Sequence, residues 1–296
     1  MTRQDFSGRD AAVRHNIYAS VRRRDGLPHD LFASYWRDVH STLCSRLPGL
    51  SFYVQQHFDR NHTTNLWPVG DGVRQIRAVL DGSAELGFAS LEDQAIFAEA
   101  GKILYSDEAN FIGEAIAYAL PSGSRTFVDC EENGSRNGPD GLHRVHVYMN
   151  RIAGSNADNW LIDSSAELAR SEAVYKWKLH LPEPYSNAHP APPSPNVDHV
   201  VEDDRLNLAV AEVAFSSARA AREFFATPAF RKMTAAQGKY INALGAYLVK
   251  GFYTFVRDGK PTAAGLRGSR PAELIETVGA ANQLEAGIVA MFSPHR

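Results

Sequence analysis

Apolar and polar residues alternate from Asn16 to Arg22, with Ile17, Ala19 and Val21 on one side and Asn16, Tyr18 and Ser20 on the other. A period of two predicts a half-buried strand. Asp25-Gly26 breaks it, and Pro28 can open a helix because the N–H it lacks has no partner in a first turn. The period then changes. Leu31, Phe32, Tyr35, Trp36, Val39, His40 and Leu43 recur at spacings of three and four, giving one continuous helical stripe. Leu47-Pro48-Gly49 ends the helix, and Ser51 to Phe58 alternates again, with Phe52, Val54 and Phe58 opposite Tyr53, Gln55 and His57. A turn-rich loop from Asp59 to Arg74 leads to a strand over Ala84 to Phe88. Ser90 with Asp93 resembles a capping box for a helix to about Phe111, and Glu114 to Leu120 closes the series as a strand. The order β-α-β-β-α-β is the split unit of a ferredoxin-like sandwich.

Pro121 to Gly141 contains S-G-S, E-E-N-G and N-G-P-D-G, which is turn chemistry, and reads as a linker. The pattern then restarts. His143 to Asn150 is expected as a strand, Asp158 to about Leu179 as a helix, and Pro182 to Asn196 as an extended proline-rich insertion. Leu206 to Phe215 reads as a strand, Ala218 to Tyr247 as helical with a break at Thr227-Pro228, and Gly251 to Val256 as a strand. Pro271 to Phe292 reads as one more helix, packed outside with its Leu274, Val278 and Leu284 side buried.

The restart is also a repeat of the letters. Ala84 to Ser90 reads A-E-L-G-F-A-S and Ala211 to Ser217 reads A-E-V-A-F-S-S; L-P-G-L-S-F-Y from Leu47 is matched by L-P-E-P-Y from Leu181, and Tyr53-x-x-x-His57 by Tyr185-x-x-x-His189. A period of roughly 130 residues means two domain-sized halves, not a solenoid. The expected division is 12–120 for the first half, 121–141 for the linker, 142–260 for a second, diverged half, and 261–296 for a C-terminal helical extension. Each half leaves one sheet face bare. The expected fold class is therefore α+β, two ferredoxin-like halves packed sheet to sheet as an intrachain dimeric α+β barrel.

Composition narrows the function only by exclusion. The 296 residues are 44% hydrophobic with a net charge of −3, as in ordinary globular proteins. No basic stripe invites a phosphate backbone, so nucleic acid is not an expected partner. No run of about 18 apolar residues suggests a membrane span, and the N-terminal residues lack the apolar stretch of a signal peptide. A cytoplasmic protein, monomeric or homodimeric, is expected. Two cysteines, Cys44 and Cys130, make neither a disulfide framework nor a metal motif. No Gly-rich phosphate loop, dinucleotide fingerprint or nucleophile elbow occurs, and the histidines are not spaced as metal ligands, so the expectation is no metal and no cofactor.

The run R-R-R-D-G-L-P-H-D-L-F-A-S-Y-W-R-D-V-H-S-T-L, then L-P-G-L-S-F-Y-V-Q-Q-H and D-E-A-N-F, resembles the EthD-like members of the dimeric α+β barrel superfamily. Trp36-x-x-x-His40 and Tyr53-x-x-x-His57 carry the likeness, with Asp107, Glu108 and Phe111 matching a later element. It is specific over residues 16–120. What it implies is broad: relatives include polyketide decarboxylases, and wider barrel relatives include cyclases, isomerases, cofactor-free oxygenases and haem-binding enzymes. Fold alone does not choose among them.

The candidate chemistry centres on His40. It shares a helical face with Trp36, the resemblance keeps a histidine there, and alignment on Leu47 and Leu181 puts Val174 at the matching place. An imidazole can accept or donate a proton near neutrality. A satisfied core histidine is the competing reading. Tyr53, Gln55 and His57 share one strand face, which lines either a pocket or a wet seam between halves; the repeat of this spacing favours the seam. Tyr18 is a further candidate, and the matched carboxylates Glu85 and Glu212 read as structural. The sequence thus points to a cofactor-free lyase or isomerase acting on an apolar aromatic or polyketide-like carbonyl compound. His40, Tyr53 and His57 would be catalytic, with Phe32, Tyr35, Trp36, Gln55 and Tyr18 around a small hydrophobic organic substrate. A cofactor-free or haem-assisted monooxygenase and a non-catalytic binder of hydrophobic metabolites are the alternatives. The cavity is expected in the first half alone.

Overall fold

The computed structural model of the chain describes residues 3–61, 66–188 and 194–292. In the first half, strands β1 (His15–Arg23), β2 (Phe52–Phe58), β3 (Gly82–Phe88) and β4 (Ile112–Leu120) are antiparallel in the order β4-β1-β3-β2. Helix α1 (His29–Tyr35) follows β1 and runs through a π turn (Trp36–His40) into α2 (Ser41–Cys44). After β3 come α3 (Leu91–Ala100), whose first turn is capped by the Ser90 hydroxyl oxygen accepting from the Asp93 N–H, and α4 (Lys102–Phe111). The second half repeats the plan. A strand β5 (Arg125–Asp129) precedes β6 (His143–Arg151), β7 (Val174–His180), β8 (Leu208–Phe215) and β9 (Ile241–Arg257), ordered β9-β6-β8-β7-β5. Its helices are α5 (Ala157–Leu168), α6 (Ala218–Phe225) and α7 (Pro228–Ala236).

The long strand β9 joins the two sheets. Its first part pairs with β6, from Ile241 opposite Arg151 to Leu248 opposite Val145; its second part pairs with β2, from Val249 opposite Phe58 to Val256 opposite Tyr53. The faces without helices meet each other. Tyr18 on β1 bonds Tyr148 (2.9 Å) and the Nδ1 of His146 (2.7 Å) on β6, and Lys178 on β7 donates to both carboxylate oxygens of Glu85 on β3, at 2.6 and 2.8 Å. This is the intrachain barrel arrangement read from the sequence.

Several local readings are corrected. The helix expected to reach Leu179 stops at Leu168, and residues from Val174 form β7. Tyr175, Trp177 and Leu179 alternate there with Lys176, Lys178 and His180, so the period of two wins over the helical run before it. Likewise β9 begins at Ile241, where a helix to Tyr247 was expected; both its faces are covered, and its Ala- and Leu-containing start has no alternation to show. Residues 121–141 contribute β5 and a short strand, Asn137–Pro139, that pairs with β9. Only the Ala84 and Ala211 runs of the repeat are structurally matched, on β3 and β8. Leu47-Pro48 precedes β2 whereas Leu181-Pro182 follows β7, so Val174 is not the counterpart of His40. The helix of the second half, α5, buries Ala157, Leu161, Ser165 and Leu168 and carries no histidine. His189 lies outside the described residues. At the C-terminus the helix is Ser269–Val278, stopped by Gly279 in the left-handed conformation (φ 71°) that its missing Cβ permits. Leu274, Val278 and Leu284 are 60%, 77% and 50% exposed. The helix packs through its small residues Ser269 and Ala272, and the Arg270 N–H donates to Asp38. Among the described residues no helix is long and apolar enough to cross a membrane.

The helix-facing layers of the two halves are filled differently. In the second half Trp177, Phe224, Phe225 and Phe230 pack together, and Trp67 from the loop between β2 and β3 inserts among them at ring distances of 5.2 to 6.1 Å. The first-half layer also holds large rings, among them Phe32, Trp36, Tyr53, Phe97 and Phe111, but they leave a cavity between them and the sheet.

Between the sheets and beside β5, charge is buried and paired. Arg144 is fully enclosed and donates to Asp140 (2.6 Å), Glu131 (2.7 Å) and Glu212, with Lys176 3.4 Å from Glu212 and 3.6 Å from Glu131. Burial alone would raise the Glu131 carboxyl, but Arg144 and Lys176 bring it down to about 2. The unfolded chain then binds the proton more tightly than the native one. This stabilisation is complete above the ordinary value of 4.5 and is lost as the pH falls from there toward 2. Acid titration of urea unfolding midpoints is expected to show that loss, and Glu131→Gln to flatten it. Arg144→Met, which removes the cation shared by three buried carboxylates and leaves them to Lys176 and Arg136, is expected to cost about 3–5 kcal/mol at neutral pH.

Candidate active site

Trp36 and His40 sit in the π turn, where the Ser41 N–H donates to the Trp36 carbonyl, five residues back. Such single-turn widenings concentrate at functional sites. The Trp36 carbonyl also accepts from the buried Gln55 side chain at 3.2 Å. The indole packs closely against β3, which is possible because residue 82 is glycine: a Cβ there would stand 2.6 Å from the ring.

His40 is 5% exposed, and its Nδ1 is 2.8 Å from Asp107 on α4. An ionised carboxylate can only accept, so the Nδ1 carries the proton. The other Asp107 oxygen accepts the Tyr35 hydroxyl at 2.5 Å. The His40 and Tyr35 hydrogen bonds hold the Asp107 carboxyl below its usual value despite burial, which acts the other way. The neutral imidazole is thereby fixed as the Nδ1–H tautomer, with the Nε2 lone pair left free to act. Among the described residues the Nε2 makes no hydrogen bond.

The His40 ring borders a cavity of about 240 Å³ between the sheet and α2, α3 and α4. Its walls are mainly apolar: Ile17, Ala19, Val21, Ala84 and Leu86 from the sheet, with Trp36, Phe97 and Leu104 from the helices. Polar atoms enter from Tyr53, Glu108, Cys44, Tyr105 and His199. Burial raises Glu108 above the usual carboxylate value, although the hydroxyl of Ser194, which donates to it, and the nearby His40 and His199 oppose the shift. Burial likewise keeps Tyr53 a phenol, its pKa well above 10, beside the Cys44 thiol and with its oxygen accepting from Gln55 at 2.6 Å. Two larger hollows elsewhere are open, mainly polar grooves at the surface.

Of the residues singled out from sequence, Trp36, His40 and Tyr53 meet at this cavity. Phe32 and Tyr35 stand behind it, both against Phe111. The face of Tyr53, Gln55 and His57 is turned toward the helices and is not the seam between halves. His57 does not line the cavity. It stacks on Trp36 (4.6 Å, 13°) and contacts the Gln55 oxygen through Nε2 at 3.1 Å. Burial first, then Arg37 and His29, lowers its pKa to about 3, so it is a neutral wedge behind the indole and not a proton carrier near neutrality. Tyr18 is on the wrong side of the sheet: alternation sends Ile17, Ala19 and Val21 to the cavity and Tyr18 into the barrel seam. Glu85 and Glu212 are ion-paired in that interior. Asp107 and Glu108 carry the site, and the D-E-A-N-F run was their only signal. His199 comes from the second half and left no trace in any local pattern. Among the described residues no group of three or more His, Cys, Asp or Glu is placed to hold a metal ion.

The fold and this helix-to-sheet cavity define a barrel of the dimeric α+β type made within one chain. Residues 24–115 match the EthD domain family. Two solved structures share the fold. One is a candidate monooxygenase from Fusobacterium nucleatum subsp. nucleatum ATCC 25586, with TM-score 0.50 and 6% identity, covering 84% of this chain and 96% of that one. The other is an anthrone oxidase-like protein, with TM-score 0.51 and 7% identity, covering 85% and 95%. No curated protein matches the sequence.

The tautomer is directly measurable. Long-range ¹H–¹⁵N spectra of neutral His40 are expected to show the proton on Nδ1, and Asp107→Leu to release it into a mixture of both tautomers. An Nε2–H signal for His40 in the unaltered protein would contradict the assigned geometry.

Proposed function

We propose that the protein is an enzyme that moves a proton on an apolar aromatic or polyketide-like carbonyl compound, a cofactor-independent lyase or isomerase with His40 as general acid–base. The observation that carries this reading is the Asp107–His40 pair, with one ring nitrogen held and the other free at the wall of an apolar cavity. A lone pair there can take the proton from carbon next to a carbonyl. Tyr53 as a phenol, and Glu108 when protonated, can donate to the carbonyl oxygen as it gains charge, in a site where walls such as Ala19 and Leu86 weaken competition from water. Decarboxylation, dehydration and cyclisation can each proceed through such an enolate. Asp107 keeps the tautomer correct and stabilises the imidazolium that forms.

A second reading shares the first step: the same enolate is trapped by dioxygen, giving a cofactor-free oxygenase. The descriptions of the two similar structures as monooxygenase and anthrone oxidase-like favour keeping it. Haem fits less well. The cavity, about 240 Å³, is below the roughly 300–1,000 Å³ of pockets for drug-sized ligands, and a porphyrin is larger than those.

Exchange of the acidic α-protons of 2-tetralone in D₂O, followed by proton NMR, tests the proposal without knowledge of the natural substrate. Exchange above the buffer rate is expected. His40→Ala should remove about 10²–10⁴-fold of it, and Asp107→Asn a smaller part, with the melting temperature of His40→Ala lowered by only about 2–4 °C. Equal exchange by the wild type and His40→Ala would sink the proposal. Oxygen consumption during the same incubation would move the assignment to the second reading.

A further inference from the structure

The cavity belongs to the first half, yet one part of its wall does not. Residues from Ser194 onward, between β7 and β8 of the second half, run along the free edge of β4. The Asp198 N–H donates to the Gly113 carbonyl (2.9 Å), and its carbonyl accepts from the Ala115 N–H (3.0 Å). Val197 is buried in the first-half core, and the Ser194 hydroxyl is bonded to Glu108. This strap is anchored by backbone and side chain, and it sets the His199 ring against the cavity.

The hydrogen bonding of His199 fixes its chemistry. Its Nδ1 is 2.7 Å from the Ala115 carbonyl. A carbonyl only accepts, so the Nδ1 is the donor, and in the neutral ring the Nε2 is a bare acceptor. That Nε2 is buried and has no partner among the described residues. An unpaired buried acceptor is costly, and a ligand that brings a donor to it gains what a ligand without one does not. His40 presents the same chemistry at another part of the lining, held by Asp107. Two imidazole acceptors thus border one apolar space. The volume adds a size: a dry cavity of about 150 Å³ admits benzene, so about 240 Å³ is suited to two fused rings.

We infer that His199 is a second ligand-binding residue of this cavity, and that the compound it takes is a two-ring aromatic with a hydroxyl group set apart from its reacting carbonyl. The hydroxyl donates to the His199 Nε2 while the reacting end lies at His40. This rests on the cavity reading given under Proposed function, but it assigns a specificity group that the first half alone does not contain.

The test is equilibrium binding, by calorimetry, of 1- and 2-naphthol and of the 1,6-, 1,7-, 2,6- and 2,7-dihydroxynaphthalenes, in which a phenol stands in for the enol of the reacting carbonyl. At least one diol is expected to bind roughly tenfold more tightly than either naphthol, the size of one hydrogen bond to a buried acceptor. Two variants separate recognition from support of the fold. His199→Asn can keep the donor to Ala115 and lacks the Nε2 acceptor; it should bring the diol down to the level of the naphthols. His199→Gln, which places an amide oxygen near the Nε2 position, should retain part of the preference. The inference is overturned if no diol exceeds the naphthols, as when water satisfies the Nε2, or if His199→Asn keeps the full preference. Naphthol binding without a diol advantage removes this inference alone. Failure of every compound to bind the wild type removes the cavity reading with it.

Discussion

Strand β9 is hydrogen-bonded to β6 over its first part and to β2 over its second. Neither sheet can move away from the other without breaking that ladder. This continuity is what allows the bare faces to be polar. Tyr18, His146, Tyr148, Glu85 and Lys178 are all almost fully enclosed at the seam, and buried polar groups tolerate enclosure only when their partners are held in register. The sheet register supplies that order, and Arg144 with its three carboxylates extends it toward the edge at β5.

With the seam closed, each half has one layer left in which a ligand could lie, between sheet and helices. The second half fills its layer with aromatic rings, including Trp67 contributed by the first half. The first half spends its largest ring, Trp36, as a wall, and the π turn that widens the helix carries both that ring and His40. The cavity is bounded on its helix side by Trp36 and His40 from that turn and by Phe97 and Leu104 from the helices after β3.

The architecture was legible because periods of two and of three to four alternate in the first half with clear breaks at Asp25-Gly26, Pro48-Gly49 and Ser90. It was less legible where burial on both sides removes alternation, as at the start of β9, or where a helical run precedes a strand without glycine or proline between them, as before β7. The repeat in Leu181-Pro182 and Tyr185 is a likeness of letters that falls on a different element from its partner. At the site, His40, Trp36 and Tyr53 could be placed because each lies on a regular element whose facing is set by its period. Tyr18 had the same information available and lies on the other face. His57 looked like a catalytic group because residue type does not report depth; enclosure behind Trp36 is what keeps it neutral. Asp107 was visible only as part of a motif, and His199 only through a long-range contact that no local pattern encodes.

The single-chain form of the barrel has one further consequence. A barrel closed by two copies of one polypeptide is bound by symmetry: whatever fills one helix-to-sheet layer fills the other, and whatever lines one cavity lines both. Two units in one polypeptide escape that rule. Trp67 can leave its own half and plug its neighbour's, and the strap bearing His199 can return the contribution in the opposite direction. Neither exchange needs a mirror image. Fusion thus turns a pair of identical sites into a division of labour, in which one unit gives up its own hollow and becomes part of the other's walls.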